Sequence, residues 1–172
     1  MLKVLVPADG SPNALHAARH VVNRFMKNAE IIGMEIHLLN VQPPFSRHIA
    51  RFVGRKNRAD FHRDEGEKAL QPVRHMLANF RIPYTVHIHV GDKARVIADA
   101  AHRLRCDHIV MATARKNSLT RMVEDSTINK VLELTTVPVE VIAGDAVSKL
   151  ERYGIPAGIG AALALLFLAA AD

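Results

Sequence analysis

Apolar runs of strand length alternate with segments of helical periodicity along most of this chain, and that alternation constrains the fold more than any other feature. A short run that is apolar on both faces suits a strand covered on both sides, and parallel strands need a helical crossover between them. The first such run spans Lys3 to Asp9. Ser11 followed by Pro12 opens a helix, with serine as N-cap and proline in the first turn. Leu15, Ala18, Val22 and Phe25 give that helix an apolar stripe. "MEIHLLNV", 34–41, predicts a second strand.

A helix from Asp60 to Phe80 follows, with Leu70, Val73, Leu77 and Phe80 at core-facing spacing. "YTVHIHVG" predicts the third strand, and Lys93 to Leu104 a helix carrying Val96, Ile97, Ala100 and Leu104. "HIVMATA" is the fourth strand, and Ile128, Val131 and Leu132 mark a last helix. "VPVEVIAG", 137–144, is the fifth strand, whose Pro138 suits a sheet edge or a strand start. Five strands with four crossovers predict an α/β three-layer sandwich of flavodoxin-like (Rossmann-like) topology, a parallel sheet in the order 3-2-1-4-5.

At 172 residues the chain suits one such domain, over 1–144, and leaves little room for another. "DAVSKLERYG", 145–154, is polar and linker-like. "IPAGIGAALALLFLAAA", 155–171, contains no charged or polar side chain. As a helix it would be ~25 Å long, a little short of the ~30 Å hydrocarbon core of a bilayer. An apolar C-terminal helix over 155–172 has two open settings, membrane association or packing on the chain's own dimer. Gly158 with Ala162 and Gly160 with Ala164 permit close helix packing in either one. Lys149 and Arg152 just before it fit a cytoplasmic flank.

The net charge of +6 permits an anionic partner without requiring one. Five of the Lys and Arg residues fall in 43–58, "PPFSRHIARFVGRKNR", which has two prolines and no acid and is predicted to be a solvated insertion. Phe45 and Phe52 are its only stacking residues and it matches no nucleic-acid-binding motif, so no nucleic-acid partner is assigned. Cys106 is the only cysteine, which excludes an intrachain disulfide and suits a reducing compartment such as the cytoplasm. Its place between Arg105 and Asp107, just before a strand, predicts a structural role. Among ten histidines, His16 and His20 share one helix face, and His87 and His89 one strand face. Neither pair has a third ligand at metal-site spacing, so no metal is assigned and all four are predicted to be exposed.

"KVLVPADGS", "LLNV", "GDKARVIADAA", "CDHIVMATA" and "NKVLELTTVPVEVIA" occur in an order and spacing that resemble the universal stress protein family, over residues 2–143. The resemblance implies a flavodoxin-like domain, usually a homodimer, that acts in stress tolerance and signalling and is not defined by an enzymatic reaction. Many members bind ATP and some bind no nucleotide. It implies that Asp9 and Val41 match the positions that hold adenosine. It places the phosphates on a loop of Gly, two residues, Gly, nine residues, Gly, then Ser or Thr.

Counting that loop onto "MATARKNSLTRMVEDST", 111–127, puts Ala112, Arg115 and Asp125 at the glycine positions and Ser126 at the hydroxyl. Ala112 adds one methyl group. Arg115 adds bulk and resists the positive φ that glycine allows. Asp125 places a carboxylate before a helix start, where it can act as N-cap and repel a triphosphate. Arg115, Lys116, Ser118, Thr120 and Arg121 nevertheless offer cations and hydroxyls to some anion. The candidate nucleotide site comprises Pro7, Ala8, Asp9, Val41, Met111, Ala112, Arg115, Ser126 and Thr127.

The first expectation is a cytoplasmic, non-enzymatic protein without a cofactor, paired through the 137–143 edge strand. Its tail would serve membrane or partner attachment. The alternative is a switch that binds ATP or another adenine nucleotide.

Overall fold

The computed structural model describes residues 2–27, 33–113 and 127–143. Five parallel strands, β1 (Leu2–Pro7), β2 (Met34–Gln42), β3 (Tyr84–Val90), β4 (His108–Thr113) and β5 (Val139–Ala143), form one sheet in the order 3-2-1-4-5. The helices are α1 (Pro12–Lys27), α2 (Arg47–Ala50), α3 (Arg55–Asn79), α4 (Lys93–Leu104) and α5 (Thr127–Leu134). The predicted linker and apolar tail, 145–172, lie outside the described residues, as does the loop between β4 and α5, 114–126.

Strand alternation explains the three layers. Val4, Val6, Ile36, Leu38 and Val110 point to one face, where they pack with Ala17, Val21, Val22, Leu70, Val73 and Leu77 of α1 and α3. Leu5, Leu39, Val41, Ile109 and Met111 point to the other, against Ala94, Ile97, Ala101 and Val131 of α4 and α5. Gly66 allows α3 to lie close on β3. A Cβ built there would come within 2.6 Å of Ile88 Cγ2.

Several predicted boundaries move. β1 ends at Pro7, so Asp9 lies in the turn beyond the strand, and β5 begins at Val139, after Pro138. The 43–58 stretch is largely exposed, as expected of a solvated insertion, but it carries secondary structure. It holds α2 and the start of α3, which begins at Arg55 and not Asp60. The basic first turn of α3 hid that start, because a helix N-terminus ordinarily favours acids. Phe80 was expected in the core but follows the helix as its C-cap and is 49% exposed. Leu132 is likewise half exposed, although Val131 beside it is fully buried.

The predicted exposed histidines are partly enclosed. His20 bonds Glu140 Oε1 at 2.9 Å, and Arg24 donates to the other oxygen of that carboxylate at 2.9 Å. His87 sits 3.1 Å from the buried His37, Nε2 to Nδ1, and its ring stacks on His89 at 6.5 Å. His37 Nε2 approaches Glu35 Oε1 at 3.2 Å without the alignment of a hydrogen bond. Burial lowers the pKa of His37, opposed by Glu35 and assisted by Lys3. His87 is lowered first by burial, then by His37, His89 and Arg103. Among the described residues no group of three His, Cys, Asp or Glu side chains is arranged to hold a metal.

Candidate functional site

In this strand order β1 and β4 are neighbours whose connections run in opposite directions, and a crevice opens beyond the carboxyl ends of strands at such a point. A cleft of about 270 Å³ lies there. Its walls include Pro7, Ala8 and Asp9 after β1, Leu39 and Val41 from β2, Met111, Ala112 and Thr113 from β4, and Thr127 and Ile128 of α5. Of the nine predicted site residues, seven therefore meet in one cleft. Arg115 and Ser126 lie outside the described residues, as do Lys116, Ser118, Thr120, Arg121 and Asp125.

The turn from β1 to α1 is built to hold its shape. Gly10 has φ +82°, a conformation that L side chains rarely adopt, and a Cβ there would meet the Ala69 backbone of α3 at 3.3 Å. Ser11 caps α1, its Oγ accepting from the Ala14 N–H at 3.2 Å. The Ser11 N–H donates to Asp9 Oδ1 at 3.1 Å. Asn40, 1% exposed, donates from Nδ2 to the Ala8 carbonyl at 2.7 Å and accepts from Gln42 Nε2 at 2.7 Å. The Ala8 N–H in turn donates to the Leu39 carbonyl at 2.8 Å. Asn40 thus ties the ends of β1 and β2 together directly behind the cleft.

Asp9 is the acidic group of the cleft wall. Burial alone would raise its pKa. Hydrogen bonds from the Ser11 side chain and backbone, with help from Lys93, outweigh that and hold the carboxyl below its ordinary value. Lys93 Nζ lies 4.0 Å from Asp9 Oδ2, and both side chains are about half exposed. The site therefore offers a carboxylate for hydroxyl or amino donors, an ammonium beside it, and an apolar wall of Leu39, Val41, Ile97 and Met111. That combination suits a planar apolar ring joined to a polar, hydroxylated part.

Lys93, Ile97, Asn13 and Asn40 were not among the predicted site residues. Asn40 carried a signal, a lone amide within the apolar run of β2. Lys93 carried none, since only the crossover from β3 brings the start of α4 to the end of β1. Cys106, expected to be structural, is buried, and burial pushes its thiol up to about 11. It faces the α4 side of the core, away from the cleft walls.

The model of the universal stress protein family matches residues 1–143. The chain belongs to the universal stress protein family. A universal stress protein of Methanocaldococcus jannaschii is 27% identical over 146 residues, covering 81% of each chain. The structure of a universal stress protein in complex with cAMP superposes with a TM-score of 0.63 at 16% identity, covering 84% of this chain and 98% of that one. An Arabidopsis thaliana family member with AMP bound gives a TM-score of 0.58 at 16% identity, covering 92% and 97%. These structural likenesses establish the fold. The ligands belong to those proteins. No described helix is long and apolar enough to cross a membrane.

Proposed function

We propose that this universal stress protein is a non-enzymatic component of stress signalling whose cleft accepts the adenosine part of a nucleotide but does not grip the triphosphate of ATP. The observation that carries this reading is the convergence of Asp9, Val41 and Met111 on one partly apolar cleft at the switch point of the sheet. Asp9 would accept from ribose hydroxyls, and Val41 with Ile97 would flank the base. From Ala112 onward the sequence lacks all three glycines of the family's phosphate loop and has Asp125 at the last glycine position. A nucleotide with one phosphate fits this asymmetry better than ATP. Relatives of the same fold bound to AMP and cAMP give the reading a precedent.

Isothermal titration of the full chain with AMP and with ATP tests it. AMP should bind at least as tightly as ATP, and Asp9→Ala should abolish binding of both. Stoichiometric ATP released from freshly purified protein, identified by mass spectrometry, would instead establish the second reading, an ATP-binding switch. Lys93 at the cleft mouth is the observation that favours that alternative, because it places a cation where a phosphate could reach it.

The same proposal includes a homodimer paired through the outer edge of β5. That strand ends the sheet, Val141 is 42% exposed on it, and an uncovered apolar edge invites pairing. Val141→Lys should convert a dimer to a monomer in light scattering, and a wild-type monomer would refute this part. Membrane or partner attachment would fall to the 155–171 segment. Loss of vesicle partitioning in a chain ending at Asp145 is the expected result.

A further inference from the structure

Four of the nine large apolar side chains that stand exposed among the described residues gather at one corner, where β2 leads through α2 into α3. Phe52 is 80% exposed, Phe61 50%, Ile49 48% and Val90 46%. Phe45 joins them into a patch. Its ring centroid lies 5.3 Å from that of Phe61, and it lines a pocket together with Val90. The Phe52 N–H donates to the Ile49 carbonyl at 3.0 Å, so those two side chains stand one turn apart. Single exposed apolar side chains are ordinary, whereas a cluster of them marks a contact surface.

The charge around the patch selects the partner. Residues 43–58 contain no acid, and Arg51, Arg55 and Lys56 stand exposed beside the apolar side chains. Asp60 and Asp64, the first acids of α3, lie 3.1 and 3.7 Å from Arg63, which offsets their charge. Exposed rings interleaved with cations suit the boundary of an anionic membrane. There the rings enter the edge of the acyl layer and the cations stay with the phosphates. We propose that this corner docks on an anionic lipid surface.

The topology points to the same partner independently. All five strands are parallel, so β2 and β5 end at the same edge of the sheet. The chain leaves β2 at Gln42 for the corner, and leaves β5 at Ala143 for the sequence that leads to the uncharged segment 155–171. Three strand spacings separate the two exits, about 15 Å. One end of the domain therefore carries a cationic, apolar patch and sends out an apolar segment. Two such signals anchor more firmly than either does alone. To that extent the proposal rests on the membrane attachment read for 155–171, and it adds a preference for lipid charge that the uncharged segment does not supply.

Sedimentation of the full chain with phosphatidylcholine vesicles, with and without phosphatidylserine, tests it. The phosphatidylserine vesicles should bind about tenfold more tightly or better, and high salt should erase that preference. The double variant Arg51→Gln, Lys56→Gln should remove most of the preference and leave binding to neutral vesicles unchanged. Phe52→Ser should weaken binding to the anionic vesicles by about tenfold. All three side chains are exposed, so the variants should melt at the wild-type temperature. Binding to anionic vesicles alone, lost in the variants, supports the patch and refutes attachment by the tail. Equal binding to both vesicle types, unmoved by the variants, keeps the tail and overturns the patch. Binding to neither overturns both. Soluble polyglutamate that binds as tightly as the anionic vesicles at matched charge identifies an acidic polypeptide as the partner and overturns the proposal.

Discussion

Replacing Asn40 with alanine should damage both stability and the cleft, and the size of the effect follows from its contacts. The side chain donates one bond of 2.7 Å and accepts another of 2.7 Å while 1% exposed. Each such bond contributes about 1 kcal/mol net, and a buried carbonyl left unpaired adds about 1–3 kcal/mol. The Ala8 carbonyl is the group so exposed, and the small cavity adds to the loss. The sum is about 3–5 kcal/mol, which lowers the melting temperature by roughly 6–20 °C for a domain of this size.

Urea unfolding followed by circular dichroism measures it, with an unchanged m-value showing that the two folded states are comparable. Asn40→Asp, which removes the donor and keeps the size, should cost at least as much. Asn13→Ala, in the half-buried start of α1, is the control and should cost under about 1 kcal/mol. A loss at Asn40 no larger than at Asn13 would show that the tie between Ala8 and Asn40 is not what fixes the turn. AMP affinity should fall with stability in Asn40→Ala but stay unchanged in a core variant of equal stability elsewhere, such as Val73→Ala.

Gly66→Ala should destabilise the domain by about 1–3 kcal/mol in the same assay, because the new methyl meets Ile88 at 2.6 Å and α3 must lift from β3. Cys106 should resist iodoacetamide at neutral pH in the folded protein and react fully in denaturant, since it is buried and its thiol is pushed up to about 11. The lowered pKa values of His37 and His87 mean that the unfolded chain binds more protons once pH falls below the ordinary histidine value of 6.5. Stability should therefore decline as pH drops through that value, and the double variant His37→Gln, His87→Gln should flatten the decline in a denaturation series across pH. Glu140→Gln, which breaks the half-exposed contacts to His20 and Arg24, should cost about 1 kcal/mol or less.

The order of the strands was legible because each apolar run had strand length and each helix carried its own stripe. Lys93–Leu104 matches residue for residue, since Asp92 caps it and accepts from the Arg95 N–H at 3.0 Å. The candidate cleft was legible in part. Asp9 and Val41 end or follow their strands, and the topology then forces them together with Met111. The start of α3 was not legible, because its basic first turn contradicts the usual charge preference of a helix start. Phe80 obeyed the helical spacing, yet the helix ends one residue before it.

The sequence by itself determined the five strands, their parallel order and the membership of the family, because periodicity and turn chemistry are local and repeat along the chain. It also determined that the loop after Ala112 has no glycine. Only the tertiary structure decided that Lys93 stands beside Asp9 and that Asn40 braces the turn behind them. Those are relations between residues far apart in the chain or facing a surface that another element supplies. Local pattern carries no information about such meetings until the crossovers have placed the helices on the sheet.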